Sequence, residues 1–333
     1  MLKNRLLTLP FAALGLMLAT SCGSSPHAND ERFFLVATSI KLPYWQGALA
    51  GLNSAGSELK VAVQMVGPDN YDPAAEHAEF QKLLQRKPLP SGILISPADP
   101  GRLAPDIESA MRAGIPVITL DSDAESSQRL LFIGTDNYKA GSMGGQLAAK
   151  LLQGRGNVVI LSMPEQLNLN QRLHGYQDAF ATHPGIKISK VVDLKGDPRV
   201  AFDTTKELLG SKPPVDAIVC LVSFACPEVA EVVSRGHDAG KIIIIAMDTD
   251  QRTLDGIQKG TIAATVGQKP FTMAFHGLML LDHYHHHPIQ PLIADRASDS
   301  FSKVPAFVDT GATMIDKGNV ATFLSQRQSS GGN

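Results

Sequence analysis

Six side chains of this 333-residue sequence have the chemistry of a site that binds polyols. Each one follows a predicted strand or opens the helix after it: Tyr44, Trp45, Asp121, Arg172, Asp248 and Gln268. Carboxylate and guanidinium groups pair bidentately with neighbouring hydroxyls, and a flat aromatic ring covers the apolar C–H face of a sugar. Ligands of doubly wound sheets bind beyond the carboxyl ends of the strands, where these residues fall.

Each of these positions also has a structural alternative. The two aromatics begin a predicted helix and suit core packing. The two aspartates stand where turns and helix N-caps favour aspartate, the arginine suits a surface salt bridge, and the glutamine suits hinge backbone. The binding hypothesis is favoured because all six lie at one end of the predicted sheets. Nearby Asn137 is interpreted as a cap at a helix start.

The elements that must position these residues alternate between short β-branched runs and helical segments, which is typical of α/β proteins. Strands are predicted over 33–39, 60–66, 92–95, 115–120, 130–133, 157–161, 186–192, 217–221, 241–246 and 262–266. Helices are predicted over 44–59, 73–85, 103–113, 139–152, 172–181, 200–209, 226–237 and 271–283. One parallel sheet of this size would be unusual, so we predict two doubly wound lobes of about five strands each, with the break near 134–137.

The N-terminus has the pattern of an export signal. A basic start precedes an apolar run over 6–18 that is too short to span a bilayer, and small residues follow it. Cys22 comes next and resembles the lipidated cysteine of bacterial lipoproteins, with Ala19 where Leu is usual. We predict a signal peptide over 1–21 and a lipidated linker over 22–31. The alternatives are a plain signal peptide with a chance cysteine and an uncleaved anchor.

Composition argues against several functions. The chain is 44% hydrophobic and 19% charged with a formal net charge of -2, so it can bury roughly two cores and has no basic patch for nucleic acid. No second apolar run approaches membrane length. Beyond Cys22 the cysteines are Cys220 and Cys226. We favour two small buried thiols over a disulfide, because spacing alone does not establish a pairing.

Three further segments are given structural interpretations. The histidine-rich tract over 283–287 is predicted to be a solvated loop, because adjacent histidines cannot all face one ion, so neither a metal site nor a cofactor is predicted. The glycine-rich segment over 141–145 lacks dinucleotide and P-loop spacing and is attributed to close helix packing. The polar tail over 327–333 is predicted to be disordered.

Several motifs resemble the ribose-binding-protein group of periplasmic sugar-binding proteins over nearly the whole chain after the signal. The motifs are Val36-Ala37-Thr38-Ser39, Pro43-Tyr44-Trp45, the segments 92–97, 115–121 and 134–137, Ala246-Met247-Asp248 and the closing segment 307–311. The lac-repressor group shares this core, but this chain has an export signal where those regulators have a DNA-binding domain. The resemblance implies two lobes that enclose one sugar and hand it to an ABC-type permease.

The resemblance also implies residue roles. Sugar contacts are implied at Thr38, Tyr44, Trp45, Asp121, Arg172, Asp248 and Gln268, and strand crossings of a three-stranded hinge near Asp136, Gln268 and Val308. The implied N-terminal lobe is 32–136 plus 268–307, and the implied C-terminal lobe is 137–267 plus 308–326. We therefore expect a monomeric type I periplasmic binding fold, exported to the periplasm or outer cell surface and anchored to a membrane through Cys22.

The chain departs from the ribose binders at three polar positions. Leu42 stands where they have Asn, Ser122 where they have Arg, and Val222-Ser223 where they have an Asn-Asp pair. A buried polar group without a partner costs about 1 to 3 kcal/mol, so we expect weak ribose binding. The predicted ligand is a less hydroxylated or differently shaped polyol, a sugar derivative or a furanone-like signal molecule.

Two other functions compete with solute binding for transport. A sensory protein that presents a ligand to a chemoreceptor or histidine kinase would use the same ligand-stabilised closure, and the sequence does not separate the two. A glycoside-processing enzyme would use Asp121 and Asp248 as acid and base. No serine nucleophile elbow, metal-ligand cluster or phosphate loop accompanies them, so the prediction is a binder and not an enzyme.

Overall fold

The structure of the chain is a computed structural model that describes residues 27–236, 240–292, 294, 299 and 301–329. The predicted signal peptide over 1–21, the lipidation candidate Cys22 and the end of the predicted tail over 330–333 lie outside the described residues. Within the described ranges, no helix is long and apolar enough to cross a membrane.

The first lobe is built on a six-stranded parallel sheet. Its strands are β1 (Arg32–Val36), β2 (Ala62–Val66), β3 (Gly92–Ile95), β4 (Val117–Leu120), β5 (Phe132–Gly134) and β11 (Phe307–Asp309). The strand order is β2-β1-β3-β4-β5-β11. Its helices are α1 (Pro43–Leu59), α2 (Pro73–Leu84), α3 (Pro100–Arg112) and α9 (Pro270–His286). The strands β3 and β4 are buried throughout, as expected for strands that helices cover on both faces.

The second lobe repeats this arrangement. Its strands are β6 (Arg155–Ser162), β7 (Gly185–Asp193), β8 (Ala217–Cys220), β9 (Ile243–Met247), β10 (Ala264–Gly267) and β12 (Thr313–Asp316), in the order β7-β6-β8-β9-β10-β12. Its helices are α4 (Asn137–Leu151), α5 (Leu167–Ala181), α6 (Pro198–Leu208), α7 (Ala225–Arg235), α8 (Gln251–Lys259) and α10 (Val320–Ser329). Only β12 runs antiparallel to its neighbour among the described strands. The predicted fold class, two doubly wound α/β lobes, is confirmed.

In the part of the chain that the structure describes, three passages connect the lobes. The first passage follows β5 at Thr135 and Asp136, and the second follows β10 at Gln268, both near the predicted positions. The third passage does not begin at Val308, because Val308 pairs with Ile133 inside the first sheet. The third passage therefore falls over 310–312, between β11 and β12, since β11 remains hydrogen-bonded to β5 through Asp309.

Several helices differ from the sequence-based expectation. The helix α5 begins at Leu167, so Arg172 lies in its second turn instead of opening it. The helix α9 continues to His286, so most of the tract predicted as a loop is helical, because Leu278 and Leu281 keep its inner face buried. The short polar helix α8 was not predicted, and α10 extends over 327–329, where the sequence predicted disorder.

The glycine-rich segment of α4 packs closely against α5, as predicted. A Cβ atom at Gly141 would lie 2.1 Å from the carbonyl oxygen of Arg172, and one at Gly144 would lie 2.0 Å from the hydroxyl of Tyr176. From the other side, a Cβ at Gly175 would lie 2.2 Å from the carbonyl oxygen of Tyr138. The absence of these side chains lets the two helices approach, and it places Arg172 next to the start of α4.

Candidate ligand-binding site

A cavity of about 160 Å³ lies between the two lobes, at the carboxyl ends of the strands. All seven side chains that the resemblance implies line this cavity: Thr38, Tyr44, Trp45, Asp121, Arg172, Asp248 and Gln268. They follow β1, β4, β9 and β10 or belong to α1 and α5. The structure thus brings residues from both lobes to one cavity, and their contact with a ligand stays a prediction.

On the first-lobe side, the two aromatics play different structural parts. Trp45 is 3% exposed and its indole Nε1 donates a hydrogen bond to Thr38 Oγ1 at 3.1 Å. The Tyr44 hydroxyl donates to Asp121 Oδ1 at 2.5 Å, and the Tyr44 and Trp45 rings meet edge to face. Trp45 therefore belongs to the core and lines the cavity as well, so the packing alternative and the binding hypothesis are compatible.

On the second-lobe side, Arg172 is the centre of a buried hydrogen-bond network. Its Nε donates to Asn137 Oδ1 at 2.8 Å, one terminal nitrogen donates to the Leu221 carbonyl at 2.9 Å, and the other donates to Gln268 Oε1 at 2.9 Å. Gln268 Nε2 in turn donates to Asp248 Oδ1 at 3.0 Å. Arg172 is 3% exposed, so the surface salt-bridge alternative is wrong.

Asn137 orients Arg172 and does not cap its helix. The N-cap of α4 is Asp136, whose side chain accepts a hydrogen bond from the Lys139 amide at 2.9 Å. Asn137 is 2% exposed, and its Nδ2 has no hydrogen-bond partner among the described residues. A buried donor without a partner is costly, which makes this amide available to an additional acceptor near Arg172.

Asn168 is a cavity residue that the sequence analysis missed. Its Nδ2 donates to Asp121 Oδ2 at 3.2 Å, which links α5 of the second lobe to the end of β4 in the first. Asn168 is 4% exposed and lines the cavity. The sequence analysis predicted that this helix begins at Arg172. A predicted start at Leu167 would have placed Asn168 in the first helical turn after β6, at the edge of the sheet where ligands bind.

Asp121 and Asp248 occupy equivalent positions in the two lobes. Both have left-handed backbone conformations, with φ of 66° and 68°. The Asp121 amide donates to the Ile133 carbonyl, and the Asp248 amide donates to the Val266 carbonyl. Aspartate is among the few residue types that tolerate positive φ, so the turn alternative describes their backbone correctly. Neither caps a described helix, and both carboxylates face the same cavity.

Burial dominates the electrostatics of the cavity. It raises the pKa of Asp248 to about 6, against the opposing attraction of the Arg172 charge. Burial also raises the pKa of Asp121, again opposed by Arg172, and burial with the two nearby carboxylates raises the pKa of Tyr44 well above its usual value. Tyr44 therefore stays a neutral donor, and above pH 6 Asp248 is an anionic acceptor for ligand hydroxyls.

Cys220 and Cys226 form a disulfide, so the preference for two free thiols was wrong. The bridge ties the end of β8 to the first turn of α7, with Cα atoms 5.7 Å apart. Spacing did not reveal it because the pairing depends on where the helix begins after the strand. The bridged loop carries the Leu221 carbonyl that Arg172 binds and three residues that line the cavity, Val222, Ser223 and Phe224.

Two of the three departures from the ribose binders lie in the cavity wall. Leu42 and Val222 present apolar side chains there, and Ser223 presents a short hydroxyl. Ser122 is 1% exposed, and its Oγ has no hydrogen-bond partner among the described residues. The wall is therefore polar at Asp121, Arg172 and Asp248, and more apolar at Leu42 and at the bridged loop.

Comparison with known proteins places the chain in a family. It belongs to the periplasmic binding protein domain family, whose model matches residues 33–285. The D-allose-binding periplasmic protein of Escherichia coli is 24% identical over 80% of this chain and 87% of its own length. The ribose import binding protein RbsB of Haemophilus influenzae is 26% identical over 80% of this chain and 89% of its own length.

Solved structures share the whole fold. A sugar ABC transporter (sugar-binding protein) from Bacillus halodurans superposes with a TM-score of 0.78 at 32% identity, covering 88% of this chain and 100% of that protein. The arabinose-binding protein AraP of Geobacillus stearothermophilus gives a TM-score of 0.72 at 32% identity, covering 88% and 99%. The resemblance to the ribose-binding group and its type I fold is thereby confirmed. These proteins are binders and not enzymes, in agreement with the prediction.

Proposed function

We propose that this chain is an extracytoplasmic solute-binding protein that captures a sugar or sugar-like polyol between its lobes and delivers it to an ABC-type permease. The observation that carries the proposal is the convergence of Asp121, Arg172, Asp248 and Gln268 with Tyr44 and Trp45 on one interlobe cavity. Acceptors, donors and flat rings are the groups that bind hydroxyls and the C–H face of a sugar. The family and the names of its relatives point to the same function.

The cavity supports a single small ligand without negative charge. At about 10 to 15 Å³ of cavity space per water, its volume of about 160 Å³ holds roughly 11 to 16 waters, which suits one monosaccharide-sized molecule. Two carboxylates and one guanidinium are the charged groups among the described lining residues. Anionic ligands such as sugar phosphates and sugar acids would meet an excess of negative charge, so neutral polyols and deoxy sugars are favoured.

Closure of the lobes is the proposed mechanism. Asp121 belongs to the first lobe, whereas Asn168, Arg172 and Asp248 belong to the second, so a ligand touches both sets only when the lobes are closed. A ligand shifts the equilibrium by its differential affinity for the closed state. The permease then recognises the closed form.

The proposed location and attachment depend on the N-terminal sequence. Residues 1–21 are proposed to direct export, and Cys22 is proposed to carry the lipid that anchors the protein, as a monomer, to a membrane. The Cys220–Cys226 disulfide supports an extracytoplasmic location, because such bonds persist in oxidising compartments.

A thermal-shift screen tests the proposed function. The purified protein, freed of ligand by unfolding and refolding, is screened against pentoses, hexoses, deoxy sugars, inositols and small furanones. A ligand at a hundred times its dissociation constant should stabilise the protein by about 2.7 kcal/mol. Saturable stabilisation by one of these classes supports the proposal. No stabilisation by any of them, in folded protein, contradicts binding of a sugar-like ligand.

Two variants test where the ligand binds and whether Leu42, which replaces an Asn of the ribose binders, weakens ribose binding. Arg172→Met should abolish the stabilisation, because Arg172 connects Asn137, the bridged loop and Gln268. Leu42→Asn restores an amide that the ribose binders have, and it should raise the affinity for ribose by about tenfold. Undiminished stabilisation in Arg172→Met would place the ligand outside this cavity.

A further inference from the structure

A second cluster of polar side chains lies far from the cavity, at the amino edge of the first-lobe sheet. Glu31 immediately precedes β1 and His27 lies four residues before Glu31, whereas Asp282 and His286 lie one turn apart at the end of α9. One ligand atom from each of the four residues lies within 4.8 Å of all the others. At 1.5 Å per helical residue, Asp282 is about 18 Å along α9 from Pro270, which lies two residues after Gln268, so the cluster is separate from the cavity.

The distances within the cluster match a small metal ion. His27 Nε2 lies 2.9 Å from Asp282 Oδ1, and His286 Nε2 lies 3.3 Å from Glu31 Oε1. Two ligand atoms at about 2.1 Å from a tetrahedral zinc ion are about 3.4 Å apart, so small rotations of these side chains would complete the coordination.

The surroundings of two residues favour coordination over a simple ion pair. His286 Nδ1 lies 2.9 Å from the Asp282 carbonyl oxygen. Donation of the Nδ1 proton there leaves the Nε2 lone pair facing Glu31, which is how metal-bound histidines are usually oriented. Glu31 has a side chain 9% exposed, and its Oε2 has no hydrogen-bond partner among the described residues.

We propose that His27, Glu31, Asp282 and His286 form a zinc site. Two imidazole nitrogens and two carboxylate oxygens are zinc ligands, and the two carboxylates neutralise the charge of the ion. The ion ties the start of the folded body to the end of α9. The site uses a single histidine of the 283–287 tract, because the other three ligands come from different positions of the fold.

Calorimetric titration of the full-length protein with zinc chloride tests the site. The protein is purified in detergent and stripped with EDTA beforehand. One equivalent should bind with a Kd below about 1 µM. His286→Gln and Glu31→Gln should each weaken binding by about a hundredfold or more, because loss of even an outer-shell partner costs about 10- to 100-fold. His283→Gln is the matched control on the same helix and should bind zinc as the wild type does.

Cobalt provides a readout that does not depend on stability. Cobalt in a tetrahedral N/O site gives intense visible absorption, expected for the wild type and for His283→Gln and lost in Glu31→Gln. Sugar-like ligands found in the screen should bind equally with and without zinc, so this test is independent of the proposed function. Absence of saturable zinc binding, or binding lost in His283→Gln and retained in His286→Gln, would overturn the site in favour of an ion-pair cluster.

Discussion

Asp248→Asn tests whether the buried carboxylate destabilises the ligand-free protein. Asp248 is 6% exposed, and its pKa is raised to about 6 from the ordinary 3.8. Asparagine has the same shape and keeps an oxygen that can accept the hydrogen bond from Gln268. The substitution therefore removes the charge while the packing is retained.

The size of the effect follows from the pKa shift. A shift of about two units corresponds to about 3 kcal/mol between the folded and unfolded states. The folded state binds this proton more tightly, so the free energy of unfolding of the wild type falls as pH rises from about 4 to about 6. Asparagine does not titrate. The variant should therefore be more stable by up to about 3 kcal/mol at pH 7.5, and the gain should disappear near pH 4.

Circular dichroism of ligand-free protein measures the thermal midpoints at both pH values. At roughly 2 to 4 °C per kcal/mol for a domain of this size, the variant should unfold several degrees higher at neutral pH. Asp203→Asn, at an exposed position of α6 in the same lobe, is the control and should change little. Equal midpoints for Asp248→Asn and the wild type at neutral pH, or a gain that persists unchanged at pH 4, would refute the reasoning.

Three further predictions concern binding and stability. Affinity for a ligand from the screen should fall as pH decreases through about 6, as Asp248 is protonated, and calorimetry should find this dependence reduced in Asp248→Asn. Cys220→Ser should lower the free energy of unfolding by about 2 kcal/mol in urea titrations, and a reducing agent should do the same to the wild type only. Gly141→Ala should destabilise the protein by about 1 to 3 kcal/mol and weaken ligand binding, because its Cβ would collide with the Arg172 carbonyl at 2.1 Å. Gly210→Ala, where a Cβ meets nothing within 4 Å, should have little effect on either measurement.

Much of the fold could be predicted because its signals are local. Each of the ten predicted strands has a counterpart in the structure, since β-branched runs between helical segments identify buried parallel strands. The short helix α8 escaped prediction because its nine residues are mostly polar and include Gly256. The third crossing falls two to four residues after Val308, because the pairing of Val308 with Ile133 keeps that residue in the first sheet, and local sequence does not reveal such a pairing.

The sequence by itself determined the fold class, the family and the cavity residues that follow strands, because the carboxyl ends of parallel strands meet at one edge whatever the details of packing. The tertiary structure alone decided which groups become partners. Asn168 meets Asp121 from 47 residues away, and His27 meets Asp282 from 255 residues away. The Cys220–Cys226 bridge also depended on the start of α7. Such contacts depend on how helices pack and where they begin, and spacing along the chain does not contain that information.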